Sequence, residues 1–350
     1  MRTLLEVQRK LLPDFLVVMQ KRYDILRYIK MMQPVGRRSL AVSLNLTERT
    51  LRSEVDFLKS QNLVNIFTSG MTLTDEGMEI LDKLEGIMRE VMGIDIMERQ
   101  LQESLQVDEV IIVSGNCDET PWVKKELGKA CANRMKLEWN SKNIIAVTGG
   151  STMAEVANSL SPDEASKKLI FVPARGGIGE AVQNQANTIV EKMAQKAHAS
   201  YRVLYVPDQL SGEVYASFQK EPAIKEVISQ IKSADMIIHG IGDAMAMAER
   251  RNSPPEMLKK LLDGNAVGEA FGYYYDENGK VVHKVLTVGI QLDDLSPEKR
   301  VITVAGGKTK AKAIRSYMKG APSSTVLITD EAAALELIQG NYTPQYICEL

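Results

Sequence analysis

Apolar positions change their spacing along this chain, and each change predicts a new kind of element. Ile25, Leu26 and Ile29 share one face of an amphipathic helix that must stop before Pro34 and Gly36. "SLAVSLN" predicts a short second helix. A polar turn around Asn45 follows, and Thr47 stands as N-cap of "ERTLRSEVDFLKSQ", in which Leu51, Val55 and Leu58 line one face. "LVNIF" and "MTLT", flanking "TSG", predict a two-stranded wing, and Thr74 caps the next helix. From Thr74 to about Leu105, the residues Met78, Leu81, Leu84, Met88, Met92, Ile96 and Leu101 form one long helical stripe, weakest at Gly86 and Gly93. Such a stripe packs either against its copy in another subunit or on the body of the same chain.

Beyond residue 106 the period shifts to short apolar runs alternating with helical stretches. "DEVIIVSG", "NIIAVTGG", "KLIFVPA", "RVLYVPD", "ADMIIHGIG", "VVHKVLTVGI", "RVITVAGG" and "STVLITD" are continuous runs closed by Gly, Pro or Asp. Strands buried on both faces of a mainly parallel sheet have that composition. The expected architecture is α/β, with a winged helix-turn-helix at residues 1–93, linking helix included, ahead of a doubly wound, Rossmann-like domain at 94–350.

Charge sharpens the division. The 350 residues carry a net charge of -2, yet residues 1–60 hold 12 Lys+Arg against 6 Asp+Glu. A basic head on an acidic body points to a polyanion partner for the head. The outer face of the third helix shows Arg49, Thr50, Arg52 and Ser53, side chains suited to base edges and phosphates in a major groove. No apolar run approaches the ~20 residues of a membrane span. The opening stretch carries charges throughout and lacks a secretory signal, so a cytoplasmic protein without membrane contact is expected. Cys117, Cys131 and Cys348 share no CxxC spacing and are expected to be reduced packing residues, neither disulfides nor zinc ligands.

Candidate chemistry concentrates where strands end. "TGGST" at 148–152, "ARGGIGE" at 174–180, "HGIGDAMAMAERR" at 239–251 and "AGGKTK" at 305–310 gather glycines and cations. None completes a dinucleotide fingerprint or a nucleotide-binding P-loop. Gly149, Gly150, Ser151 and Thr152 offer backbone and hydroxyl donors at a helix start, with Arg175, Arg250, Arg251, Lys308 and Lys310 at other loop ends. Those cations suffice for two phosphates, and Gln185 and Glu269 could bond sugar hydroxyls. His198, His239 and His283 lack metal-ligand spacing and read as structural. "LDD" at 292–294 and "TDE" at 329–331 read as helix caps or solvated turns. No catalytic residue, metal or cofactor is assigned. The enzymatic alternative, a sugar-phosphate isomerase or deaminase with an accessory head, would need Glu269 or Asp243 as base.

Together the two halves resemble the SorC family of bacterial sugar-responsive transcription regulators. "KLLPDFLVVMQKRYDILRYI", "PVGRRSL", "VPARGGIGE", "QANTI", "HGIGDA", "AERRN", "EAFGYYYDENGKVVHKV", "GIQLDD" and "VAGGKTKAKAIRSYMKGAPSSTVLITDEAAALELI" carry the likeness over nearly the whole chain. The resemblance implies a body with the sugar-phosphate isomerase and deaminase fold, reused for sensing. It implies a homo-oligomeric repressor, dimer or tetramer, at an operator of the glycolytic genes that include glyceraldehyde-3-phosphate dehydrogenase. Fructose 1,6-bisphosphate or a related sugar phosphate would relieve repression. The ligand set so implied is Gly149, Gly150, Ser151, Thr152, Arg175, Gln185, Arg250, Arg251, Glu269 and Lys310. On the DNA side Arg37, Arg38 and Thr47 join Arg49, Thr50, Arg52 and Ser53. Ser151 departs from the threonine expected there but keeps the hydroxyl, and the tail "GNYTPQYICEL" lies outside the pattern.

Overall fold

Pro13 opens helix α1 (Pro13–Met32), a place where its missing N–H leaves no bond unmade, and the helix buries Tyr23, Ile25, Leu26 and Ile29. The chain belongs to two compact units that divide between Ile96 and Met97. The computed structural model describes residues 11–139, 144–177, 181–207, 212–218 and 220–340. Gly179 of "RGGIG", Asp208 of "RVLYVPD", Asn143 of "NIIAVTGG", Cys348, the first ten residues and the tail beyond Gly340 lie outside them.

In the first unit Gly36 sets an extended N-cap, so α2 (Arg37–Ser43) starts before "SLAVSLN" and takes Arg37 and Arg38 into its first turn. Asn45 turns the chain at φ +51. The Thr47 hydroxyl accepts the Thr50 N–H at 3.1 Å and opens α3 (Glu48–Ser60), which buries Leu51, Val55 and Leu58. Strands β1 (Val64–Phe67) and β2 (Gly70–Leu73) pair antiparallel, Phe67 opposite Gly70. Gly70 stands at φ +134, and a Cβ there would lie 2.9 Å from the Val35 nitrogen, so both the turn and the approach require glycine. Thr74 accepts the Gly77 N–H at 2.9 Å and caps α4 (Asp75–Met92), which packs on α1. The expected single tract is two helices. Gly93, at φ +67, closes α4 in a left-handed cap, and α5 (Ile94–Leu105) follows at once. Gly86 stays inside α4, and Ile96 of the expected stripe is 56% exposed.

The strands of the second unit are β3 (Glu109–Val113), β4 (Ile144–Val147), β5 (Ile170–Pro173), β6 (Ser200–Tyr201), β7 (Met236–His239), β8 (Gly242–Asp243), β9 (Ala266–Ala270), β10 (Tyr273–Asp276), β11 (Val281–Lys284), β12 (Arg300–Val304) and β13 (Thr325–Asp330). Its helices are α6 (Pro121–Lys136), α7 (Ser151–Ser159), α8 (Ala186–Ala197), α9 (Gly212–Phe218), α10 (Pro222–Lys232), α11 (Ala244–Arg250), α12 (Pro255–Asp263), α13 (Ala311–Met318) and α14 (Glu331–Gln339). Seven strands form an all-parallel sheet in the order β3-β13-β12-β7-β4-β5-β6. The chain lays β4, β5 and β6 outward on one side, returns to β7 beside β4, and continues to β12 and β13 on the other. Strand order thus reverses between β4 and β7, which opens a crevice at their carboxyl ends. Ile145, Val147, Phe171, Ile238, Ile302, Val304 and Ile328 make the sheet's contribution to the core, with Trp139, Met153 and Cys131 packed on it.

Two expected strands of this sheet are absent from it. The pairing with β5 falls just before "RVLYVPD", at Ser200 and Tyr201, and ends with the Arg202 N–H on the Phe171 carbonyl; beyond it Asn187 bonds both the N–H and the carbonyl of Leu204 at 3.0 Å, replacing the ladder. "VVHKVLTVGI" contributes β11 to a separate antiparallel sheet, β11-β10-β9-β8. Within that sheet Phe271 and Gly272 join β9 to β10 with φ of +54 and +84, as a tight two-residue hairpin demands. No helix among the described residues is long and apolar enough to cross a membrane.

Candidate functional site

On the first unit Arg37, Arg38, Thr47, Arg49, Arg52 and Ser53 are exposed and Thr50 half-buried. Arg49 and Arg52 stand on the solvent face of α3 and form no ion pair among the described residues, while Arg38 lies 3.8 Å from Glu48. The Thr47 and Thr50 hydroxyls, 2.8 Å apart, serve the helix cap, so they orient the basic face as well as belonging to it.

In the second unit the crevice begins where β4 ends. Gly150 takes φ +118, donates its N–H to the Asn184 carbonyl at 2.8 Å, and starts α7 by accepting the Ala154 N–H. The backbone N–H groups of Ser151, Thr152 and Met153 therefore have no acceptor within the helix. Gly150 thus contributes its conformation, and its amide is taken up by Asn184. Gly149 allows a close approach, since a Cβ there would lie 2.7 Å from the Asn184 oxygen. All ten residues of the expected ligand set line one cavity of about 320 Å³. Lys308 does not; its ammonium lies outside the cavity, 3.7 Å from Glu336.

The hairpin turn aims Glu269 into this cavity. Its Oε1 accepts from Arg175 at 3.1 Å, Arg251 at 2.9 Å and the Gly272 N–H at 2.5 Å, and Arg251 also donates to the Tyr274 hydroxyl at 2.8 Å. Burial works to raise the Glu269 pKa, yet Arg251, Arg175 and the Gly272 amide together hold it below the ordinary carboxylate range. Glu269 therefore fixes the two guanidiniums in place, a use the sequence reading did not foresee. Asp118, also in the cavity lining, accepts the Thr309 N–H and hydroxyl at 2.9 and 3.0 Å, and Asp330 accepts the Cys117 and Gly307 N–H groups at 2.7 and 2.8 Å. These two carboxylates join the loop after β3 to the loop carrying Lys310. Burial lowers the Lys310 pKa, helped by the nearby Lys124 and Arg250. An anion in the cavity would favour the charged form again.

Sequence reasoning missed Lys124, Asp118, Asn184 and Phe271, which line the same cavity. The two candidate bases also separate. Asp243 caps α11 through the Ala246 N–H at 2.9 Å and does not line the cavity, while Glu269 is bound to its arginines. Burial and Asp330 push the Cys117 thiol up to about 12, which leaves it unreactive. "LDD" forms a capping box with Gln291, as an acidic turn should, and Asp330 of "TDE" caps α14 through the Ala333 N–H.

His239 lies fully buried, its ring centroid 4.5 Å from that of Phe271, its Nε2 2.8 Å from the Thr303 hydroxyl and Nδ1 3.0 Å from the Gly240 carbonyl. A neutral ring that donates from Nδ1 and accepts at Nε2 satisfies both, and burial brings the pKa from 6.5 down to about 4. A depressed histidine stabilises the fold fully above the unfolded value. Stability is then lost as pH falls from 6.5 towards 4, by about 3 kcal/mol in all. Both tryptophans, Trp122 and Trp139, lie in this unit, so their fluorescence in urea reports its unfolding. The midpoint is expected to fall between pH 6.5 and 5 while the His239 imidazole stays neutral by NMR. A His239 ring that protonates near pH 6.5 would contradict this assignment.

Comparison with known proteins bears on both units. The family model Sugar-bind, a sugar-binding domain, matches residues 89–339, and the CggR N-terminal DNA binding domain matches residues 18–88. The central glycolytic genes regulator of Priestia megaterium is 58% identical over 340 residues, covering 97% of this chain and 99% of that protein. Its namesake in Bacillus subtilis is 55% identical over 339 residues, with the same coverage. Among solved structures, a SorC family transcriptional regulator from Enterococcus faecalis is 47% identical with a TM-score of 0.65, covering 69% of this chain and 99% of that one. The full-length sorbitol operon regulator SorC of Klebsiella pneumoniae shares the fold at 19% identity and TM-score 0.63, over 87% of this chain and 94% of that one.

Proposed function

The chain belongs to the SorC family of DNA-binding transcriptional regulators that carry a sugar-binding domain, and from that premise we propose that it represses glycolytic genes and that fructose 1,6-bisphosphate in the cavity relieves the repression. The observation that carries the ligand reading is the convergence of Arg175, Arg250, Arg251 and Lys310 with the first-turn amides of α7 in one cavity. The names of the two relatives support the choice of genes. One phosphate meets the Ser151 and Thr152 amides and hydroxyls, the other faces the arginines, and Gln185 takes a sugar hydroxyl. The regulator acts as a dimer or a pair of dimers in the cytoplasm, because α3 reads one half-site and paired half-sites require paired helices. The ligand favours a state in which paired binding is weaker, and by linkage operator DNA must weaken ligand binding by the same factor.

The test is fluorescence anisotropy of the full chain on a labelled promoter fragment of the glycolytic operon. Fructose 1,6-bisphosphate, fructose 6-phosphate and inorganic phosphate are titrated in separate arms. Release of the fragment by the bisphosphate, well below the concentrations at which the other two act, is the expected outcome. Release by fructose 6-phosphate at equal concentration would replace the effector with a monophosphate, and turnover of either sugar phosphate would refute the sensor.

A further inference from the structure

Helices α6 and α7 pack with their backbones in contact. A Cβ on Gly128 would lie 2.6 Å from the carbonyl carbon and oxygen of Glu155, and only glycine allows that approach. Lys124 precedes Gly128 by four residues and Ser151 precedes Glu155 by four, so each pair shares a helix face one turn apart. The contact at Gly128 therefore fixes what happens one turn earlier. There the half-buried Lys124 places Nζ 3.3 Å from the Ser151 hydroxyl and lines the same cavity as Lys310. We propose that Lys124 is a further ligand-binding residue: its ammonium leaves Ser151 for a phosphate oxygen when a sugar phosphate enters and holds that phosphate jointly with Lys310 and the first turn of α7.

The chemistry favours the exchange. A hydroxyl is a neutral acceptor for an ammonium, whereas a phosphate dianion gives a shorter and roughly twofold stronger charge-assisted bond. Two ammonium groups lining one cavity also repel: burial chiefly lowers the Lys310 pKa and Lys124 adds to it, and an anion between them reverses that cost. Ser151 is freed in the same step, and its hydroxyl turns to the ligand. Lys124 thus explains how a serine hydroxyl at this position is held ready for a ligand.

The assignment rests on the reading of the cavity as a sugar-phosphate site, and isothermal titration of the full chain separates the two. Fructose 1,6-bisphosphate and inorganic phosphate are titrated into wild type, Lys124→Gln and Lys124→Arg. Wild type is expected to bind the bisphosphate, Lys124→Gln to bind it about 10- to 100-fold more weakly, the range for a lost hydrogen bond to a charged group, and Lys124→Arg to recover most of the loss. Thermal melting of the three unliganded proteins should coincide, which a merely structural lysine would not allow. Wild-type affinity in Lys124→Gln overturns the role of Lys124 and leaves the cavity reading standing. Absence of binding by wild type to either ligand overturns the cavity reading itself, and with it the assignment.

Discussion

Glu269→Ala is expected to lower the stability of the second unit by about 3–5 kcal/mol, the cost of removing one partner from a buried ion pair. Arg175 and Arg251 both point their guanidiniums at the same Oε1, and the three side chains are each less than a tenth exposed. Without the carboxylate, two positive charges face each other in a medium that screens them poorly. The Gly272 N–H loses its acceptor too, and the hairpin turn with Phe271 at positive φ loses its anchor. Glu269→Gln retains the shape and should cost less. Urea denaturation followed at Trp122 and Trp139 measures both variants; an alanine variant within about 1 kcal/mol of wild type would show that the arginines do not depend on Glu269.

Arg52→Ala is expected to weaken operator binding by about 1–3 kcal/mol while random duplex loses much less. Arg52 is exposed on α3, off the face that buries Leu51, Val55 and Leu58, so its removal leaves the packing intact. An arginine that reads a base edge discriminates between sequences; one that meets phosphate alone lowers all affinities alike and reduces the salt dependence. Paired anisotropy titrations on operator and scrambled duplex at two salt concentrations decide between them. Equal losses on both duplexes would reassign Arg52 to the backbone.

How far the sequence discloses these features varies with the physics of each. Helix α3 was legible because its cap, its apolar face and its basic face are all local properties of "TERTLRSEVDFL". The parallel strands that end in "TGG", "HGIG" and "AGG" were legible because burial on both faces leaves an unbroken apolar run. "RVLYVPD" misled for a related reason. Leu204 and Val206 are buried and Tyr205 exposed, the alternation of a strand, yet the hydrogen bonds come from a side chain of α8 that no local pattern announces. The β9–β10 hairpin was missed because its turn is Phe-Gly, and phenylalanine is not a residue expected at positive φ. Of the cavity, the loops after strands could be read from glycine and cations. Lys124 could not, since it comes from a helix whose approach to the cavity is set by the contact at Gly128, 27 residues from its Glu155 partner in the chain.

The amide of Asn187 has a consequence beyond the shape of one loop. A parallel sheet ending in a long open strand would offer its unpaired backbone as a template on which a second chain could dock and propagate. Here the last strand pairs for two residues, and the next buried position, Leu204, has both its backbone groups already bonded by the Asn187 side chain. The edge offers little template for a second chain, because a single side-chain amide takes up the backbone just past a two-residue strand.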